Sequence, residues 1–173
     1  MTRTLSPLRT VGEQVEAAFD RIAASRMRDF PLSNPALRVR LVGLRDWSGV
    51  RIGVLISPWS INLLLLPGAG GVDAGGFRRL GPDQQQHWTF PSGSYAFYGL
   101  DEQGIGPYQT CSLFSPALEF STQAAAEQTA EAVMLALFRD ASALPDDADG
   151  REGDTAVSRR DLLRGRLSAG LEG

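Results

Sequence analysis

The chain carries one Cys, one His and 17 Arg in 173 residues, with no Lys at all, and that inventory bounds its chemistry. Without lysine there is no Schiff-base nucleophile and no phosphate-loop ATPase. With one Cys and one His there is no disulfide framework, zinc finger or rubredoxin-type iron site, because each needs several soft ligands at fixed spacing. The expectation is therefore no catalytic, metal-binding or cofactor-binding residues and no cofactor. Cys111 and His87 are the one pair that could act as nucleophile and base. Such an enzyme needs both within hydrogen-bond reach and a third group to orient the imidazole. Nothing in the linear spacing supplies this, and Cys111 between Thr110 and Ser112 suits a core position on a strand. A small cysteine-dependent enzyme or redox sensor is the alternative reading, and it requires Cys111 to be an exposed thiol of low pKa.

The glycine-rich stretch Pro67 to Gly76 contains Gly68-Ala69-Gly70-Gly71 but no following Lys, and no G-x-G-x-x-G opens a helix there. It reads as a flexible connection rather than a nucleotide cradle. The aromatics carry more. Trp59 follows Pro58 at a strand boundary, and a strand through Tyr95, Phe97 and Tyr98 directs the first two to one face and the third to the other. An aromatic sheet face beside a movable loop suits protein binding, since Trp, Tyr and Arg are enriched at binding hot spots. The candidate surface is Trp59, Tyr95 and Phe97 with Cys111, Phe114 and Pro116. The plain alternative is that each of these aromatics fills a core, and an aromatic-lined small-ligand domain would need a closed pocket of a few hundred cubic ångströms.

Net charge is −3, with a pI near 5.2, so the strongly basic face that nucleic acid requires is not expected. Charge is unevenly placed. Residues 1–139 hold 12 Arg and 12 acids, residues 140–154 one Arg and six acids, and residues 155–173 four Arg and two acids. No export signal or membrane insertion is expected: Gly12, Glu13, Gln14 and Glu16 interrupt the N-terminal region, and the apolar run Ile52 to Leu66 is too short to span a bilayer. The location implied is cytoplasmic.

These side chains need a scaffold, and the hydrophobic periodicity supplies one. Val11 to Met27 reads as an amphipathic helix, with Thr10 and Glu13 as its capping box. Phe30-Pro31-Leu32-Ser33-Asn34-Pro35 then breaks the chain. Strands follow at Arg38–Trp47, Val50–Ser57, Ser60–Leu66, Gln86–Phe90, Ser94–Leu100 and Tyr108–Phe114, with a tight hairpin at Ser48-Gly49 and a turn over Gly99–Pro107. A long helix, Thr122 to Phe138, has small Ala residues that permit close packing. The expected fold is α+β: one domain over 11–140 with a mainly antiparallel sheet of about six strands between two helices, after an N-terminal tail over 1–10. Residues 141–157 read as an acidic flexible linker, and 158–173 as a basic amphipathic tail with a short helix.

That tail, Ser158-Arg159-Arg160-Asp161-Leu162-Leu163-Arg164, looks like a twin-arginine export pattern at the wrong end of the chain. Either it is a basic helix that docks on the core or on a partner, or it imitates an export signal.

Several separated motifs share an order with a known family. Ile56-Ser57-Pro58-Trp59, Leu66-Pro67-Gly68, Pro91-Ser92-Gly93-Ser94-Tyr95-Ala96-Phe97, Tyr108-Gln109-Thr110-Cys111-Ser112-Leu113-Phe114-Ser115-Pro116 and the tail through Gly165 resemble the HybE/HupJ/HoxT family of nickel-iron hydrogenase assembly chaperones. The resemblance covers about Val11 to Ser168. It implies a cytoplasmic, non-enzymatic accessory protein that binds the large or small hydrogenase subunit precursor, extending to its twin-arginine signal peptide, until cofactors are inserted. Some relatives carry an attached rubredoxin module, for which this chain lacks the cysteines. The acidic Ala143–Asp154 stretch looks like an expansion between the last long helix and the tail. The resemblance carries over no catalytic residue. On this reading Trp59, Tyr95, Phe97, Cys111, Phe114 and Pro116 engage the precursor, and Arg159, Arg160 and Leu163 add a tethered second contact.

Overall fold

A computed structural model describes residues 6–140 of the chain. Helix α1 (Pro7–Ala24) precedes six strands, β1 (Arg40–Trp47), β2 (Val50–Ile56), β3 (Ile61–Pro67), β4 (Gln85–Phe90), β5 (Gly93–Glu102) and β6 (Gly106–Phe114), and helix α2 (Gln123–Leu137) follows. The strands form one sheet in the order β1-β2-β3-β6-β5-β4, antiparallel throughout. The α+β fold expected from the sequence is the fold observed. Among the described residues no helix is long and apolar enough to cross a membrane.

The central position of β2 and β3 explains their unbroken apolar sequences. Val50, Ile52, Val54 and Ile56 face the same side as Leu63 and Leu65, and join α2 residues such as Ala130 and Val133 in one core. Leu55, Leu64 and Leu66 face the other side and meet Val15, Phe19 and Ile22 of α1. A strand buried on both faces has no polar side to show. On the α2 side the sheet curls until its two edge strands share rings: Trp47 of β1 stacks on Phe90 of β4 with centroids 4.2 Å apart. Phe138, just past α2, meets both rings edge-on, and the Arg45 guanidinium lies 4.0 Å from its centroid.

Three local expectations are corrected. First, α1 starts one turn before the Thr10–Glu13 capping box, at Pro7, because proline suits the first helical turn; Ser6 is the N-cap and makes no side-chain cap. Thr10 donates its amide to Ser6, and Glu13 pairs instead with Arg9 at 3.1 Å. Second, β5 continues through Gly99 to Glu102, and β6 begins at Gly106, so the turn is only Gln103-Gly104-Ile105. Third, the glycine-rich loop is pinned rather than merely slack. Gly68 and Gly75 pack directly against the Ser48-Gly49 turn, where a Cβ on either would collide with the Gly49 carbonyl oxygen. Glycine is there for backbone-to-backbone approach. Phe77 then buries completely, and Gln109 ties the segment down by donating to the Arg78 carbonyl at 2.9 Å and to Gln86 at 2.8 Å, while it accepts from Trp88 Nε1 at 2.7 Å.

The expected acidic linker over 141–157 and basic tail over 158–173, with Arg159, Arg160 and Leu163, lie outside the described residues.

Candidate functional site

The sequence-nominated residues divide between core and surface. Tyr95, Phe97 and Cys111 are buried on the α2 side of the sheet, Phe97 at 0% and Cys111 at 1% exposure. An exposed face through these three is therefore not what forms: β5 and β6 are interior strands, and the side that carries Tyr95 and Phe97 is roofed by the glycine-rich loop and α2. The Tyr95 hydroxyl is within 2.8 Å of Ser92 Oγ, inside the protein. His87 is exposed and pairs with Ala96, on the face opposite Phe97, whereas Cys111 lies with Phe97 in the core. The sheet thus separates thiol and imidazole, and the two cannot form a nucleophile and base in this arrangement. Among the described residues no group of three or more His, Cys, Asp or Glu gathers as a metal site.

Trp59, Phe114 and Pro116 all lie at one end of the sheet, where β2 stops, β3 starts and β6 stops, with Trp59 and Phe114 packed on opposite faces. Ile61 pairs with Phe114 there. The Ser57–Ser60 turn that carries Trp59 is closed by Ser57 N donating to the Ser60 carbonyl and by Ser57 Oγ accepting from Ser60 N, at 2.9 and 3.1 Å. Trp59 is half-buried against the α1-side core, and Phe114 is half-buried, edge-on to Phe120 at 5.0 Å. Pro116, after a cis peptide bond, is exposed.

The residue that organises this end is Asn34, which sequence reading passed over as part of a Pro-rich break. It is buried, and its Nδ2 donates to the carbonyls of Ala117 and Phe120 at 2.9 and 2.7 Å, while Oδ1 accepts from Ala36 N at 3.0 Å. Its backbone amide donates to the Pro58 carbonyl at 2.6 Å. One residue thus joins three connections, its own before β1 and that between β6 and α2 through the side chain, and that between β2 and β3 through its backbone amide. Each exposes apolar surface: Phe30 and Leu32 on the first, the accessible part of Trp59 on the second, and Pro116 with Leu118 (50% exposed) on the third. Large exposed apolar residues gathered on neighbouring segments mark binding surfaces. A sequence signal existed in Asn34 between two prolines, since Asn commonly replaces backbone partners in turns. Its remote partners in the segment 117–120 were not legible.

A cleft of about 460 Å³ lies elsewhere, between α1 and β1, bordered by Gly12, Leu44, Arg9, Glu13 and Arg40. It is lined by both charge signs and contains none of the nominated aromatics, so it is not the closed aromatic pocket that a small-ligand reading requires.

The far end of α1 is fixed by charge. Arg26 Nη2 donates to Glu102 at 2.6 Å, and Arg21 donates to the Gln103 carbonyl at 3.3 Å. Beneath them Tyr108 lies edge-on to Phe19, and burial, assisted by the Glu102 carboxylate, pushes its phenol up to about 12.

Comparison with known proteins places this geometry. The family described as NiFe-hydrogenase assembly, chaperone, HybE matches residues 10–165. The hydrogenase expression/formation protein HupJ of Bradyrhizobium diazoefficiens is 32% identical, over 91% of this chain and 89% of its own length. The protein HoxT of Cupriavidus necator is 38% identical, over 88% of this chain and 87% of its own. The probable rubredoxin HupJ of Rhodobacter capsulatus is 42% identical over 71% of this chain, which spans only 43% of that protein. The solution structure of HybE from Escherichia coli shares the fold, with a TM-score of 0.56 and 22% identity over 87% of this chain and 93% of that one.

Proposed function

The chain belongs to the NiFe-hydrogenase assembly chaperone family HybE and has a role in hydrogenase maturation, and from that premise we propose that it is a cytoplasmic, non-catalytic chaperone that binds nickel-iron hydrogenase subunit precursors. It holds the large or small subunit precursor through cofactor insertion and before twin-arginine export. The observation that supports this is the apolar end of the sheet, where Asn34 joins three connections that expose Phe30, Leu32, Trp59, Pro116 and Leu118. A chaperone for one client needs an apolar contact, a means of holding it in register, and no reacting group.

Tyr95, Phe97 and Cys111 act in this reading from behind, as the packed floor of the sheet. Trp59, Phe114 and Pro116 remain the client-facing members. Arg159, Arg160 and Leu163 supply a second, tethered contact, and the precursor's signal peptide competes for it or for the groove it occupies.

The test is capture of the purified precursor by full-length protein. Replacing Trp59 with Ala and Leu118 with Ser together should weaken capture at least tenfold while far-UV circular dichroism stays unchanged. Undiminished capture would remove this end from the interface. A chain ending at Asp140 should lose a smaller factor, from the tail.

A further inference from the structure

The sheet has two edges, and they are finished differently. A two-residue connection fixes which residues of a hairpin bond to each other and which face outward, because bonded and non-bonded pairs alternate from the turn. In the β4–β5 hairpin, Phe90 pairs with Gly93 around Pro91-Ser92. Phe90, Trp88 and Gln86 therefore bond to β5, while Gln85, His87 and Thr89 turn their N–H and C=O groups away from the sheet.

At β1 part of the outward row is capped by side chains of the two helices. Leu41 N donates to Glu16 Oε1 of α1 at 3.0 Å. Just before the strand, Arg38 N donates to Gln123 Oε1 of α2 at 3.0 Å, and Gln123 Nε2 donates to the Arg38 carbonyl at 3.4 Å. The strand also carries Arg40, Arg45 and Asp46 and a register shift between Val42 and Arg45. Charge, bulges and side-chain capping are how proteins stop an edge from recruiting another strand. At β4 none of these appears: Gln85-Gln86-His87-Trp88-Thr89-Phe90 contains no Asp, Glu, Arg or Pro. Among the described residues no hydrogen bond reaches its outward backbone groups. The side chains of Gln85, His87 and Thr89 are exposed.

We infer that the outer edge of β4 receives an extended segment of the client polypeptide, which joins the sheet as an added strand. This rests on the reading of the chain as a chaperone for unassembled precursors. The occupant's chemistry follows from the edge. Its backbone complements the outward groups of Gln85, His87 and Thr89. On one face its side chains neighbour Trp88 and Phe90 beside Trp47 and Phe138, so alternate residues are apolar; on the other they neighbour His87 and Thr89, so the rest are polar. The edge is uncharged, and the paired stretch of the occupant is uncharged too. Polypeptides that have not completed folding expose such alternating segments, and strand addition takes its affinity from main-chain bonds and its selectivity from alternate side chains.

The probe is a set of overlapping 12-residue peptides tiled through the large and small hydrogenase subunit precursors, with binding followed by fluorescence anisotropy on the full chain. The expected result is that an alternating, uncharged peptide binds, and that amide hydrogen exchange then slows at least tenfold at Gln85, His87 and Thr89. N-methylating every second residue of that peptide should abolish binding. His87→Pro should weaken it at least tenfold, since it removes an outward N–H without removing a bond to β5.

Peptide binding without protection at these three amides overturns the edge and leaves the chaperone reading intact. So does the absence of any peptide binding while whole precursor is still captured; loss of precursor capture by the wild-type chain is the result that sinks the chaperone reading itself. Protection at the three amides without peptide overturns the proposal in favour of another occupant: a second copy if it depends on concentration, residues 141–173 if it vanishes in a chain ending at Asp140.

Discussion

Strands β1 and β4 end the same sheet and face each other across a stack of rings, yet only β1 has helix side chains bonded to its outer backbone and charge along its row. The difference lies in the helices. Both helices pack over the β1 side, and each lends it one polar side chain, Glu16 from α1 and Gln123 from α2. β4 has no helix lying along it and keeps an uncharged outer row. An edge, then, is a property of what packs beside a strand, and the strand's own sequence only permits it.

Trp47→Ala should have the largest effect on this contrast, since its ring is what the two edges share. Removing a large ring packed on Phe90, Trp88 and Phe138 should cost about 3 kcal/mol, measured by urea denaturation. A loss below about 1 kcal/mol would mean that the edges do not depend on each other. Raising the pH tests the seat of α1, the helix that carries Glu16. The Tyr108 phenol is held above its ordinary value of 10, at about 12, so the folded state keeps its proton where the unfolded chain has released it. This phenol's contribution is thus constant below pH 10 and lowers stability as pH rises from 10 through 12, by about 3 kcal/mol in total. Tyr108→Phe should remove this part of the slope; an unchanged slope places the alkaline loss elsewhere. Smallest is Glu16→Ala, which uncaps Leu41 N. It should cost about 1 kcal/mol and let β1 amides exchange faster, making the two edges more alike. No change in exchange at Leu41 would show that the carboxylate is not its guard.

Most of the scaffold was legible because its signals are local. The alternation of Val50, Ile52, Val54 and Ile56, the Ser48-Gly49 turn with φ of 49° and 84°, and the Thr122 cap, which accepts from Ala125 N at 3.1 Å, all depend on neighbours in the chain. The start of α1 was misread because two start signals lie within a turn of each other, and proline at the first position outweighed Thr10 and Glu13. The site was less legible. Tyr95 and Phe97 look like a binding face only until the glycine-rich loop and α2 cover them, and that cover depends on Gln109 reaching Arg78, a contact between distant residues. Asn34 and the outward row of β4 were missed for the same reason: what makes them special is which partners they have or lack in space. Trp59, Phe114 and Pro116 stand out in sequence because turn residues and aromatics announce themselves, and the structure leaves each of them at least partly exposed at the end of the sheet.

The strand order has a kinetic meaning as well. β1, β2 and β3 form one meander, β4, β5 and β6 another, and within each every pairing joins strands adjacent in sequence. Among the strand pairings only the seam between β3 and β6, where Leu63 meets Cys111, joins strands distant in sequence. The entropy of loop closure therefore concentrates at this one seam. Each half can zip from its own turns, and the sheet is complete only once Leu63 and Cys111 lie side by side.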